Sequence, residues 1–204
     1  MKKIMFNDKY GLTKAVLEGR KTMTRRIVRN PVEMEVNGHK YLQAEKLRYK
    51  VGEVVAVAQN YEDAGYARDT IQRAKFRTDQ YDGWQVGDFK ICLLPGWKNK
   101  MFVFPTMMPH QIRITNVKVE RLQDISEDDV YKEGFTKETV NNGWGNYAHH
   151  WEAVFIYYDS LGRTKEIQSP YPREAFATLI DKVSGNGTWE SNPWVFVYEF
   201  ELVK

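Results

Sequence analysis

The clearest alternation of apolar and polar positions runs over residues 111–122, where a period of two predicts a long strand. A second alternation, over residues 194–203, places large apolar side chains on one face and predicts a C-terminal strand. Residues 54–58 form a continuous apolar run, which is typical of a strand covered on both faces. Shorter strands are predicted at residues 4–6, 89–94 and 101–104.

Three segments carry helical spacing instead. Apolar residues at i, i+3 and i+4 predict a helix that ends at Gly19, where glycine tolerates a left-handed cap. Ser126, followed by three acids, predicts the start of a helix that ends at Gly134. An apolar stripe over residues 174–183 predicts a third helix. Many short strands with few helices predict an α+β fold, a small mixed β-barrel flanked by short helices.

The stretch between the strands at 54–58 and 89–94 is charged and breaks the strand pattern. Residues 61–88 therefore indicate a surface insertion, with a short helix predicted around residues 68–76. The Asn37-Gly38 pair predicts a hairpin turn. Since the sequence shows no repeat and no interdomain linker, we expect a single domain over residues 1–204.

Composition narrows the class of protein without naming a function. The chain has one cysteine, Cys92, which excludes an internal disulfide and fits a reducing compartment. No apolar run approaches the roughly 18 residues that span a bilayer, and the N-terminus lacks a signal-peptide pattern. We therefore expect a cytoplasmic protein. Its net charge of +3 does not by itself indicate nucleic acid, so the local clustering of charge matters more.

That clustering is strongest directly after the first helix. Five of the ten residues from Arg20 to Arg29 are Lys or Arg, and none is acidic. Trp144 lies in a loop rich in glycine and asparagine, where an aromatic ring is exposed for stacking on a base. Arg113, in the strand predicted at 111–122, is a further candidate ligand-binding residue. The basic segment supplies the others, which are Gly19, Arg20, Lys21, Thr24, Arg25 and Arg26.

Metal and cofactor chemistry has little support in the sequence. The histidines are His39, His110, His149 and His150. Adjacent helical residues do not share a face, and no cysteine or acid stands at ligand spacing beside these histidines. No glycine-rich phosphate loop is present either. We expect no metal and no cofactor.

Four stretches, in the same order along the chain, carry a resemblance to a known family. The first is the motif Gly-x-Lys-x-x-polar-x-Arg, present as Gly19, Lys21, Thr24 and Arg26. The other three are residues 51–53, 117–129 and 187–196. The chain resembles the ASCH-domain family of the PUA-like superfamily, and within it the larger phage and prophage proteins.

The resemblance implies a PUA-like barrel with RNA or a modified nucleoside in a cleft beside it. One ASCH enzyme is an acetylcytidine amidohydrolase that uses a lysine, a threonine and a glutamate, and another member is described as a ribonuclease. Lys21 and Thr24 match the lysine and the threonine. Arg113 stands where that alignment expects the glutamate, so the catalytic set is incomplete in sequence.

A nucleophilic lysine needs a lowered pKa and a base to take its proton. Neighbouring arginines supply the positive charge that lowers the pKa of Lys21, while Glu53 or Glu120 are the acids considered as its base. Two other roles for the basic segment stay open. Lys21 and Arg26 either contact a ligand electrostatically or form ion pairs with acids of the chain itself.

Three functional hypotheses follow. The leading one is binding of RNA, another nucleic acid or a modified nucleoside in a basic cleft. The second is a hydrolase acting on an acylated nucleoside or on RNA, through Lys21 and Thr24. The third is a phage accessory protein, working in a bacterial host cell, that binds a host protein through residues 61–88. None of the three involves a membrane.

Overall fold

The computed structural model describes residues 1–36, 39–43, 46–77, 84–140, 150–158 and 163–203. They form a strand-rich α+β structure with few helices, as the sequence predicts. The helices are α1 (Leu12–Leu17), α2 (Glu127–Lys132), α3 (Pro172–Ser184) and α4 (Thr188–Ser191). The strands are β1 (Lys3–Ile4), β2 (Met23–Ile27), β3 (Val32–Val36), β4 (His39–Gln43), β5 (Val54–Val57), β6 (Ile71–Arg77), β7 (Trp84–Lys90), β8 (Gln111–Arg121), β9 (Thr136–Val140), β10 (His150–Tyr158), β11 (Thr164–Ser169) and β12 (Trp194–Leu202).

The chain divides into two compact units. Unit 1 consists of Met1–Phe6, Val54–Ile112 and Val203–Lys204. Unit 2 consists of Asn7–Glu53 and Arg113–Leu202. The predicted insertion at residues 61–88 lies within unit 1, and the basic segment lies within unit 2. The expectation of a single domain over residues 1–204 stays a prediction.

Unit 1 is organised around β1 and β5, which pair in parallel with Ile4 opposite Val57. Its core is a cluster of buried apolar side chains in which Tyr61 is fully enclosed. Gly96 lies against the Tyr61 ring so closely that a Cβ there would come within 2.5 Å of it. The other members of the cluster are Ala56, Ala58, Ala74, Ile91, Leu94, Trp97, Val103 and Met108.

The sheet of unit 2 places the basic segment beside the C-terminal strand. β12 lies between β8 and β2 and pairs antiparallel with β2, so Tyr198 is opposite Thr24 and Phe196 is opposite Arg26. β9, β10 and β11 form a separate antiparallel sheet, and β3 pairs with β4. The C-terminal strand predicted over residues 194–203 is therefore the neighbour of β2 in the sheet.

Helix α2 of unit 2 begins where its capping signal predicts. The Ser126 hydroxyl accepts a hydrogen bond from the Asp129 N–H at 3.2 Å and caps α2. α3 packs against α2, β10 and β11 through a face that includes Phe176 and Leu179, both buried. Packing against α3 holds α2 in place; of the acids described below, Asp129 lies in α2 and Glu133 directly follows it.

The prediction of a helix around residues 68–76 is wrong. Those residues contribute to β6, which pairs with β7 along its whole length. The reason is a period of two, since Arg73 and Lys75 are exposed while Ala74 between them is buried. The strand predicted at 89–94 is a strand only as far as Lys90, and three-residue 3-10 turns occupy 91–93 and 100–102.

Two predicted loops fall outside the described residues. The turn at Asn37-Gly38 is one, although the antiparallel pairing of β3 with β4 on either side agrees with a hairpin. The loop that contains Trp144 is the other. The stacking role of Trp144 therefore stays a prediction.

Candidate functional site

The basic segment leaves α1 through a left-handed turn and then runs beside the end of α2. Gly19 makes that turn with a φ of +73°, a conformation that favours glycine. Lys21 then forms an antiparallel β-bridge with Glu133, and the N–H of Thr22 donates to the Lys132 carbonyl at 2.9 Å. The backbone thus brings together two residues that are 112 positions apart in sequence.

Gly134 closes this junction after α2. Its φ is +111°, and a Cβ there would lie 3.4 Å from the Cβ of Lys21 and 3.3 Å from the Phe155 ring. The Gly134 carbonyl accepts a hydrogen bond from Arg20 at 3.1 Å, and Arg20 also pairs with Glu18 at 2.6 Å. Arg20, a predicted ligand-binding residue, therefore contacts the protein's own groups.

Lys21 is buried, with 3% of its surface exposed, and its partner Glu133 is 4% exposed. The ammonium group donates to the Oε2 atom of Glu133 and, at 3.1 Å, to the main-chain carbonyl of the same residue. Glu133 is therefore the acid within hydrogen-bonding reach of Lys21. The β-bridge between the backbones of Lys21 and Glu133 places the Glu133 side chain beside the Lys21 ammonium group.

Arg25 is the centre of the same buried cluster, and its side chain is 1% exposed. Its guanidinium donates to Oε1 of Glu133 at 3.0 Å, to Asp129 at 2.9 Å and to Glu120 at 2.7 Å. It also lies 3.2 Å from the sulfur of Met23. We call the following six residues the carboxylate network: Lys21, Arg25, Lys118, Glu120, Asp129 and Glu133.

The network is balanced in charge, with three cations and three carboxylates. Lys118 lies at its rim, 2.9 Å from Glu120 and 3.2 Å from Asp129. Lys132 approaches Asp129 from the solvent side at 3.4 Å. Because each buried charge has a partner of opposite sign, the cluster meets the condition for holding ionised groups in a protein interior.

Burial and pairing act in opposite directions on the pKa values of the network. Burial lowers the pKa of Lys21 below its usual value, although the Glu133 carboxylate acts to raise it. Burial would lower the pKa of Arg25 as well, but Glu133 and Glu120 raise it. Hydrogen bonds from Lys118 and Arg25 hold the pKa of Asp129 below its usual value, against the effect of burial.

Two of the three carboxylates were missed by sequence reasoning. Glu120 is one of the acids considered for Lys21, but it contacts Arg25 instead. Asp129 is explained in sequence as an acid near the start of a helix, and Glu133 is not singled out. The one local signal is that Glu133 directly precedes Gly134, which ends the helix.

The opposite face of β2 has a different character. Side chains alternate along a strand, so Thr24 and Arg26 point away from the face that Met23 and Arg25 share. Thr24 is buried and Arg26 is partly buried. We call the following five residues the arginine–tyrosine face: Thr24, Arg26, Arg48, Tyr49 and Tyr198.

The tyrosines of this face pack edge to face, with ring centroids 5.3 Å apart. The Arg48 guanidinium lies 5.6 Å from the centre of the Tyr49 ring. Burial lowers the pKa of Arg26; Tyr49 and Glu133 oppose that shift, and the positive charge of Arg48 adds to it. Two guanidiniums therefore lie close enough to repel each other, beside buried aromatic rings.

The structure places Arg113 apart from the network. Its side chain is half exposed and pairs with Glu201 at 3.0 Å. His110 lies in unit 1, with Nδ1 2.7 Å from the Gln59 side-chain oxygen. His149 and the side chains of His39 and His150 lie outside what the structure describes.

Comparison with known proteins adds no family to this geometry. A scan against protein-family models, a search of curated proteins and a search of solved structures each find no match to this chain.

Within the described ranges, no group of three or more histidine, cysteine, aspartate or glutamate side chains is arranged to hold a metal ion. The helices in that same part of the chain are all too short or too polar to span a membrane.

Proposed function

We propose that the protein binds RNA, another nucleic acid or a modified nucleoside on the arginine–tyrosine face. The observation that supports this is the grouping of cations and aromatic rings on that face. Arg48 lies 5.6 Å from the centre of the Tyr49 ring, Tyr49 packs against Tyr198, and the positive charge of Arg48 acts to lower the pKa of Arg26. A bound anion placed between Arg26 and Arg48 would relieve their mutual repulsion.

The side chains of this face suit a nucleotide. Guanidinium groups recognise phosphates and base edges through paired hydrogen bonds. Thr24, Tyr49 and Tyr198 are buried, so the groups of this face that reach a ligand are the guanidiniums of Arg26, which is partly buried, and of Arg48, which is exposed. We propose this binding as part of an ASCH-like, PUA-like fold, in which the motif arginine is Arg26 and the motif polar residue is Thr24.

The test is a binding titration with a fluorescent short single-stranded RNA and, separately, with acetylcytidine. We expect Arg26→Gln to weaken binding of the RNA about tenfold, roughly 1.4 kcal/mol. Lys165→Gln removes one exposed charge elsewhere in unit 2 and should change affinity less than about twofold. Equal affinities for the wild type and Arg26→Gln, or no binding of either ligand, would contradict the proposal.

A hydrolase is the second candidate, and one specific observation favours it. Lys21 has a lowered pKa and lies in contact with Glu133, the kind of acid that an amine needs as a proton acceptor. In the proposed reaction water adds to the acetyl carbon of acetylcytidine and the bond from that carbon to the exocyclic nitrogen breaks. One proton of the water passes to the leaving nitrogen, which gives cytidine, and the acetic acid formed releases the other proton to solvent as it ionises to acetate.

The burial of Lys21 counts against this second candidate, because a substrate must reach the amine. Incubation with acetylcytidine and with short RNAs decides the question, with Lys21→Ala and Glu133→Gln beside the wild type. Turnover that both variants lose while they remain folded by circular dichroism supports the hydrolase. No turnover by the wild type, or equal turnover by Lys21→Ala, contradicts the hydrolase hypothesis.

A further inference from the structure

Unit 1 carries a two-stranded antiparallel ribbon whose two faces differ. We define the ribbon as β6 and β7, which pair from Ile71 opposite Lys90 to Arg77 opposite Trp84. On one face Ala74 is buried in the core of unit 1, and Phe89 packs against the same core. On the other face every described side chain is exposed, namely Ile71, Arg73, Lys75, Val86, Asp88 and Lys90.

The exposed face is positively charged. Arg73, Lys75 and Lys90 stand on it with one acid, Asp88. Arg73 pairs with Asp88 at 3.5 Å, with both side chains more than half exposed. Exposed pairs of this kind contribute little to stability and exchange readily for another anion.

The two strands of the ribbon contain four Lys or Arg residues and one acid, and residues 78–83, which join them in sequence, add Asp79 and Asp82. Among the described side chains of the exposed face, three cations stand beside the single acid Asp88. A surplus of cations on one exposed face is the electrostatic pattern of a polyanion-binding surface.

The shape of the ribbon selects among polyanions. A B-form DNA major groove, about 12 Å wide, admits a two-stranded β-ribbon, whereas the major groove of an RNA duplex is deep and narrow. Alternate residues on one strand lie about 7 Å apart, so Arg73 and Lys75 can contact successive positions of a phosphate backbone. Ile71 and Val86 add apolar contacts of the kind that thymine methyl groups accept.

We propose that the exposed face of the ribbon binds double-stranded DNA. This surface belongs to unit 1 and is independent of the arginine–tyrosine face in unit 2. Arg73, Lys75 and Lys90 contact the phosphates, and the ribbon follows the major groove. The proposal is separate from the proposed function, since either surface can bind its ligand without the other.

The experiment is a titration of a short fluorescent DNA duplex at several salt concentrations. Arg73→Gln combined with Lys75→Gln should weaken binding about tenfold and reduce the slope of log affinity against log salt by about two. The matched control, Lys165→Gln combined with Lys182→Gln, removes the same charge from exposed positions of unit 2 and should leave both values unchanged. All four changes are at exposed side chains, so circular dichroism should show normal folding.

The proposal is overturned if the DNA duplex does not bind, even where a stoichiometric protein partner is recovered through the ribbon. It is also overturned if the control variant loses as much affinity, or if an RNA duplex of the same sequence binds as tightly as the DNA. Arg26→Gln tested on single-stranded RNA reports on the proposed function alone, so the two proposals fail separately.

Discussion

Strand β2 turns Arg25 to one side and Arg26 to the other, and the two guanidiniums meet opposite surroundings. Arg25 contacts three carboxylates and is enclosed, whereas Arg26 lies beside Arg48 and two tyrosines. Neighbours in sequence therefore have different functions in the fold. A cluster of positive charge along the chain is not a cluster in space, and its members have to be tested one face at a time.

Removal of the Glu133 charge should have the largest effect. Glu133→Gln leaves Lys21 and Arg25 buried with one partner fewer each, which should lower the free energy of unfolding by about 3–5 kcal/mol. Urea denaturation followed by circular dichroism measures the change. The matched control is Glu166→Gln at an exposed position, expected within about 0.5 kcal/mol of the wild type. Equal midpoints for the two variants would show that the network does not hold the fold.

The next effect comes from the shape of the guanidinium. Arg25→Lys keeps the charge but loses the planar fork that contacts three carboxylates, so we expect a loss of about 1.5–3 kcal/mol. Arg26→Lys on the opposite face should cost less than half as much. Urea midpoints of the two variants, measured side by side, check the difference. A larger loss for Arg26→Lys would reverse the comparison.

Acid should weaken the network through Asp129. Its pKa is lower in the folded protein than in the unfolded chain, so the unfolded chain binds protons first as the pH falls. Its stabilising contribution is thus complete above the unfolded pKa of about 3.9 and is lost as the pH falls through the folded value. Asp129→Asn should be less stable than the wild type at pH 7, and the gap should narrow in acid. If the difference in stability between Asp129→Asn and the wild type stays constant with pH, protonation of Asp129 is excluded as the cause of the acid effect.

The smallest effect is expected at Arg113, which belongs to neither face. Its exposed pair with Glu201 is screened by solvent, so Arg113→Gln should change the free energy of unfolding by no more than about 0.5 kcal/mol. RNA affinity should stay within about twofold of the wild type. A tenfold loss of affinity at fixed stability would return Arg113 to the candidate ligand-binding residues.

Local patterns were sufficient for part of unit 2, although they did not predict the sheet of β9, β10 and β11. The helices that end before Gly19 and Gly134, the long strand β8 and the C-terminal strand β12 follow from periodicity and capping. The ribbon of unit 1 was mistaken for a short helix because arginine, lysine and alanine favour helices intrinsically. There the burial of Ala74 against the core decided the structure, and this packing is not visible in local propensity.

The site was predictable in part for a similar reason. The basic segment stands out in sequence, and alternation along a strand divides its residues between two faces. The groups that each face meets depend on the elements that pack against β2. Glu133 was missed because its contact with Lys21 joins positions 112 residues apart. Such a contact depends on the packing of a helix end against a strand, and no spacing rule within one segment reports it.

The long separation between Lys21 and Glu133 has a consequence for the speed of unfolding. Closing a loop of that length costs chain entropy before any contact forms, so we expect the network to assemble after the rate-limiting step of folding. Loss of a late contact mainly speeds unfolding and leaves the folding rate almost unchanged. The carboxylate network would then slow unfolding and prolong the lifetime of the native state. Stopped-flow kinetics of Glu133→Gln should show faster unfolding, with little change in the folding arm of the chevron plot.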